Sequence, residues 1–176
     1  YLVCVDGKSK GVFENLPSEY QDLPLKDYSD KLIIPGMVDL HVHAPQYAFR
    51  GMCMDLELMD WLNQYTFPEE EKYTNLDYAK KAYSIFTNAL KKSATTRACI
   101  FATRHRDATV LLMELMEETG LVSYVGKVNM DREASEALIE ESAESSAYNT
   151  FGWINSVNNK FQNTKPILTP RFIPCC

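Results

Sequence analysis

Long apolar runs, clustered positive charge and paired-cysteine motifs are all missing from this 176-residue chain. No apolar stretch approaches the roughly 18 residues that would span a bilayer, which argues against a transmembrane helix. Asp and Glu outnumber Lys and Arg by 24 to 18, a net charge of −6, and the cations form no cluster. Nucleic acid and anionic membranes are therefore poor candidates for the main partner. The five cysteines (Cys4, Cys53, Cys99, Cys175, Cys176) form an odd set without a CxxC, so a reducing cytoplasm is the simpler setting. Seven glycines and eight prolines are too few for a fibrous or low-complexity chain. No glycine-rich phosphate loop follows a candidate strand, which withdraws support from a nucleotide-binding doubly wound fold.

What is present describes an α/β chain. Apolar residues make up 45% and charged residues 24%, enough for one domain-sized core. Residues 1–34 read as the edge of a small β unit. Tyr1–Val5 meets the turn dipeptide Asp6-Gly7, Gly11–Phe13 is the expected return, and Lys31–Ile34 is a further apolar run. Residues 35–176 alternate strands and helices. Strands are expected at Met37–His43, Thr95–Thr103, Leu121–Met130 and Lys165–Phe172. Between them the spacing predicts a short helix over 56–65 and a longer one capped by Asn75. A third helix, capped by Asp107 and ended by Gly120, and a long helical stretch over 133–161 follow. The last of these should bury Ala147, Phe151, Ile154, Val157 and Phe161. Such alternation means βαβ units on a parallel sheet, either complete or half of an eight-stranded barrel.

Histidine is scarce, with only three residues, and two of them share one strand. In Met37–His43 alternate side chains share a face, so Met37, Asp39, His41 and His43 point one way and Val38, Leu40 and Val42 the other. The apolar set suits packing against helices. The two imidazoles, about 7 Å apart along the strand, could converge on one metal ion at the strand's C-terminal end, where parallel barrels place their active sites. They could equally be polar core residues, each satisfied by a hydrogen bond. His105 stands alone and is expected to be structural, and Asp39 is a candidate to orient a ligating imidazole.

The segment Pro35-Gly36-Met37-Val38-Asp39-Leu40-His41-Val42-His43 resembles the first-strand signature of the amidohydrolase superfamily of metal-dependent hydrolases. Its continuation through Ala44-Pro45-Gln46, the stretch from Trp61 to Pro68, Val125–Val128 and Thr169-Pro170-Arg171-Phe172 resemble the branch of that superfamily that deaminates guanine. The resemblance implies a (β/α)8 barrel, here about its first half, preceded by part of a small β domain. It implies hydrolysis of guanine to xanthine and ammonia, with one zinc ion per subunit, water and guanine as the small-molecule partners, and a homodimer. By residue match, His41 and His43 would be metal ligands, and His43, Ala44, Pro45, Gln46, Arg171 and Phe172 would bind substrate. Arginine's rigid donor fork suits the O6/N7 edge of guanine, and Phe172 offers a flat face for stacking.

The same resemblance places the remaining ligands (two histidines and an aspartate) and the proton-shuttling glutamate on strands beyond residue 176. The chain is thus expected to be an incomplete portion, inactive by itself, an expectation that its start at Tyr1 without Met also suggests. Two alternatives share His41 and His43. One is an amidohydrolase for a related heterocycle, such as a chlorohydrolase or a pterin or nucleoside deaminase; the other is a non-catalytic binding domain.

Overall fold

The computed structural model describes residues 1–176 and divides into two units, Tyr1–Pro35 and Gly36–Cys176. In the first unit β1 (Leu2–Val5) and β2 (Lys8–Val12) form an antiparallel hairpin. Its two-residue loop, Asp6-Gly7, has positive φ at both positions (51° and 72°), the geometry that matches strand twist in tight hairpins. The return strand thus begins at Lys8, earlier than expected. Lys31–Ile34 forms no strand, and Leu32, Ile33 and Ile34 are exposed. That run pairs with neither strand of its unit, and Pro35 ends it without an N–H to donate.

The second unit is a four-stranded parallel sheet whose spatial order follows the sequence: β3 (Met37–His43), β4 (Thr95–Phe101), β5 (Val122–Gly126) and, after a short β6 (Val128–Asn129), β7 (Thr164–Pro166). A last strand, β8 (Thr169–Pro170), pairs in parallel with β6. Helices intervene at each crossover: α1 (Leu58–Trp61), α2 (Phe67–Glu71) and α3 (Leu76–Lys91) before β4, α4 (Arg106–Thr119) before β5, and α5 (Ala143–Val157) before β7. This is the architecture of one side of a (β/α)8 barrel. No helix is long and apolar enough to cross a membrane.

Local chemistry explains the helix ends. Asn75 accepts hydrogen bonds from the backbone of Asp77 (2.9 Å) and Tyr78 (3.1 Å) and starts α3. Gly120 ends α4 in the left-handed conformation, φ 74°. Asp107 does not cap α4. The cap position falls on His105, and Asp107 sits in the first turn, where a carboxylate still complements the helix dipole. The core lies between the helices and one face of the sheet, where Ala79, Tyr83 and Phe86 of α3 and Leu112 and Met116 of α4 meet Ile100 and Val125.

Three further elements differ from expectation. The 133–161 helix is confined to α5, capped by Ser142, which accepts from the Ser145 backbone at 3.1 Å. Its buried face carries Ser146, Thr150, Trp153 and Val157, while Ala147 and Phe151 are exposed. Polar partners on β6 draw Ser146 and Thr150 inward, as described below. The third and fourth strands each break in two, at Lys127 and at Ile167-Leu168. At the break Gly126 lets Thr169 come against its backbone, where a Cβ would lie 2.2 Å from Thr169 atoms, and Pro166 and Pro170 supply no ladder N–H. Val38 and Leu40 are exposed rather than packed, and only Val42 of that set reaches the core.

Candidate active site

At the C-terminal end of β3 the rings of His41 and His43 lie 5.0 Å apart between centroids, edge to face. Phe101, at the end of β4, packs against both, at 4.8 and 4.6 Å. His43 is half-buried and its Nδ1 is enclosed without a hydrogen-bond partner. Burial above all, with the positive charge of Arg171 and the neighbouring His41, draws His43 down to about 3 and keeps its imidazole neutral at pH 7. Asp39 makes no hydrogen bond to either ring. Its carboxylate accepts from the His41 backbone N–H at 3.1 Å, fixing the main chain rather than an imidazole.

Past His43 the chain enters a 3-10 turn, Ala44–Phe49. Ala44 and Pro45 are buried in its wall, whereas Gln46 and Tyr47 reach an open cavity of about 870 Å³, within the range of small-ligand sites. His41, His43, Gln46, Arg171 and Phe172 are in its lining. Met54, Leu58, Trp61 and Leu62 contribute apolar surface to the same lining. The structure thus brings together five sequence-selected residues from positions 41 to 172, and leaves Ala44 and Pro45 behind the surface.

Arg171 is delivered by β8, and its backbone N–H donates to the Asn129 carbonyl at 3.2 Å. Its side chain is 3% exposed, and Nη1 donates to both carboxylate oxygens of Glu70, at 2.5 and 2.7 Å. The guanidinium also lies over the Phe67 ring, 5.6 Å from the centroid. Nη2 is buried without a partner. Burial raises the Glu70 carboxyl above its ordinary value, against the opposing pull of Arg171. Sequence reasoning missed Glu70 and Phe67. Glu69-Glu70-Glu71 reads as a solvated acidic run, yet Glu70 is fully buried.

His105 lies elsewhere, at a second cavity of about 400 Å³, with its Nε2 3.1 Å from the Thr74 hydroxyl. Burial, with Arg104 and Lys127 nearby, lowers it to about 4.

The donor chemistry at the first cavity suits a metal in part. Two imidazoles converge there and one is held neutral. No group of three or more His, Cys, Asp and Glu in the chain could hold an ion. The pair fits as two of the roughly three protein ligands that a catalytic zinc takes.

A parallel α/β half-barrel with paired histidines facing a cavity at its strand C-termini is the layout of a barrel hydrolase site. The amidohydrolase family model matches residues 32–165, and the chain belongs to the amidohydrolase family. It is 38% identical over 161 residues to the guanine deaminase of Rattus norvegicus, covering 91% of this chain and 35% of that protein. It is 36% identical over 176 residues to the guanine deaminase of Escherichia coli (strain K12), covering 98% and 39%. A crystal structure of guanine deaminase from C. acetobutylicum, with guanine bound in its active site, superposes with a TM-score of 0.93 at 46% identity, over 99% of this chain and 42% of that one. The chain spans about two fifths of the length of these relatives.

Proposed function

We propose that the complete polypeptide carrying this chain hydrolyses guanine to xanthine and ammonia, with zinc held in part by His41 and His43. The observation that carries the reading is Arg171. Its guanidinium is buried, Nη1 is tied to Glu70, and Nη2 has no protein partner beside a ligand-sized cavity. Buried donors are seldom left unpaired, and a fixed arginine edge matches the O6/N7 acceptors of guanine.

In this reading the Gln46 amide bonds the polar edge of the base, and Phe172 stacks on its face. His43, neutral, would hold the ion through a ring nitrogen, beside His41. The chemistry such an ion supplies is activation of water at neutral pH. Met54, Leu58, Trp61 and Leu62 add apolar surface to the cavity lining against which a flat base can rest. Ala44 and Pro45 shape the turn that presents Gln46. Further ligands and the proton-transferring carboxylate belong to the rest of the barrel. The homodimeric state and cytoplasmic setting stand as part of the same proposal.

The test is xanthine formation from guanine by the complete polypeptide, with and without a zinc chelator. Chelator-sensitive turnover, with adenine and cytosine inert, is the expected result. A zinc-loaded protein that leaves guanine untouched refutes it and moves the substrate to another heterocycle. In the same preparation His41→Ala should lose its zinc, and an unchanged zinc content would sink the ligand assignment.

A further inference from the structure

We propose that Glu70 is the positioning residue for base recognition: it holds Arg171 by Nη1 alone so that the Nη2 edge of the fork faces the base. The inference rests on the guanine reading above and names a residue that acts only through Arg171.

The geometry is specific. Both Glu70 oxygens fall on the same nitrogen, Nη1, at 2.5 and 2.7 Å. An end-on carboxylate would instead bond both terminal nitrogens, Nη1 and Nη2, and use up the fork. Here Nη2 stays unpartnered although it is buried. The partners are 101 residues apart, and their side chains are 3% and 0% exposed. Water therefore cannot substitute for Glu70 as the counter-charge.

Local sequence explains how a carboxylate reaches that place. Leu62–Thr66 forms a π-helical turn between α1 and α2, closed by the Phe67 N–H donating to the Leu62 carbonyl. Pro68 follows directly, and having no N–H it can begin a helical turn but not continue one. The extra residue of a π turn rotates the following helix face, a device frequent at functional sites. Phe67 and Glu70, three apart, then share one face. The ring lies under the guanidinium and the carboxylate at its end, so one five-residue helix grips Arg171 from two directions. Glu69, by contrast, pairs with Lys72 at 2.7 Å and accepts from the Tyr78 hydroxyl, and takes no part in this grip.

The experiment uses the complete polypeptide and the variants E70Q, R171K and E70Q/R171K. Melting temperature and zinc content are measured for each. R171K keeps a cation for Glu70 but loses the fork. E70Q is expected to raise KM for guanine about tenfold or more, with kcat within about threefold and zinc content unchanged. Inhibition by 7-deaza-2-aminopurine, which lacks both O6 and N7, should weaken no more than about twofold in E70Q. The double variant should match R171K within about twofold, because Glu70 has no route to the base except Arg171.

A merely structural ion pair would lower stability without this edge-dependent loss. An E70Q kcat/KM for guanine within threefold of the parent, alongside an impaired R171K, overturns the positioning role and leaves the guanine reading standing. A double variant that falls a further tenfold below R171K overturns it also, by showing an independent route. If E70Q does not fold, E70D carries the same prediction, since it keeps the charge but withdraws it from Nη1. A parent enzyme inert toward guanine would instead overturn the reading on which the inference rests.

Discussion

The buried pair Lys127–Glu140 gives a stability prediction whose size can be worked from the structure. Lys127 Nζ lies 2.7 Å from Glu140 Oε1, and the side chains are 2% and 4% exposed. Around them the network is dense. Glu140 Oε2 accepts from the Ser146 hydroxyl at 2.5 Å. Asn129 Nδ2 donates to Ser146 Oγ and Thr150 Oγ1, at 2.6 and 2.7 Å. Lys127 Nζ adds a bond to the Val128 carbonyl at 3.2 Å. Burial lowers the Lys127 ammonium from its ordinary value and Glu140 opposes that shift, so the ammonium depends on its partner. Removing one member strands the other charge, a loss of about 3–5 kcal/mol. Lys127→Met and Glu140→Gln are each expected to cost about 3 kcal/mol. The double variant Lys127→Met/Glu140→Gln should lose no more than either single, since no charge is left stranded, the amide oxygen introduced at position 140 can still accept from Ser146, and the remaining cost is the amide NH2 left facing Met, about 1–3 kcal/mol. Urea unfolding of the complete polypeptide at a shared m-value measures the cycle. If the double loses the sum of the singles, with coupling below about 0.5 kcal/mol, the pair is not energetically linked and the argument fails.

Two further effects follow from the same end of the sheet. Gly126→Ala should destabilise by about 2–3 kcal/mol, the upper range of overpacking, because its Cβ would meet Thr169 atoms at 2.2 Å. Thr169→Gly should restore part of the loss, and a Gly126→Ala melting temperature equal to the parent's would show that the strands have room to separate. His105, held at about 4 by burial and nearby cations, binds its proton in the unfolded chain before it does in the folded one. Its contribution is therefore complete above about pH 6.5 and is lost as pH falls toward 4. With the ring partly open to solvent, the loss is about 1–2 kcal/mol after discounting for screening. His105→Gln should flatten the stability curve between those pH values, and an unchanged slope would remove His105 as its source.

The sequence discloses the parts of this site that obey a local period. Two-residue alternation puts His41 and His43 on one face, and the resemblance of the segments that follow adds Gln46, Arg171 and Phe172, all of which line one cavity. The same holds for the ends of α3 and α4, where Asn75 and Gly120 act through their immediate neighbours. What stays hidden depends on pairings far along the chain. Ser146 and Thr150 read as the wet side of α5, and they are buried because Asn129 and Glu140 offer them hydrogen bonds. The hydrophobic stripe is accordingly displaced, and Phe151 is left 64% exposed.

Glu70 is the extreme case. Within three consecutive glutamates nothing local separates it from Glu71, and its meaning comes from a cation 101 residues away. The path to that cation is itself non-local. Gly126 admits Thr169 against the backbone, and the Thr169 hydroxyl donates to the Lys127 carbonyl at 2.9 Å. β6 and β8 then pair, and the Asn129 carbonyl receives the Arg171 N–H. The break in both strands, which sequence periodicity misses, is what turns Arg171 into the cavity beside the histidines. Under the proposed guanine reading, a perturbation at Gly126 should therefore weaken guanine binding by the complete polypeptide as well as stability, because Arg171 is placed by the same contact that the added methyl would push apart.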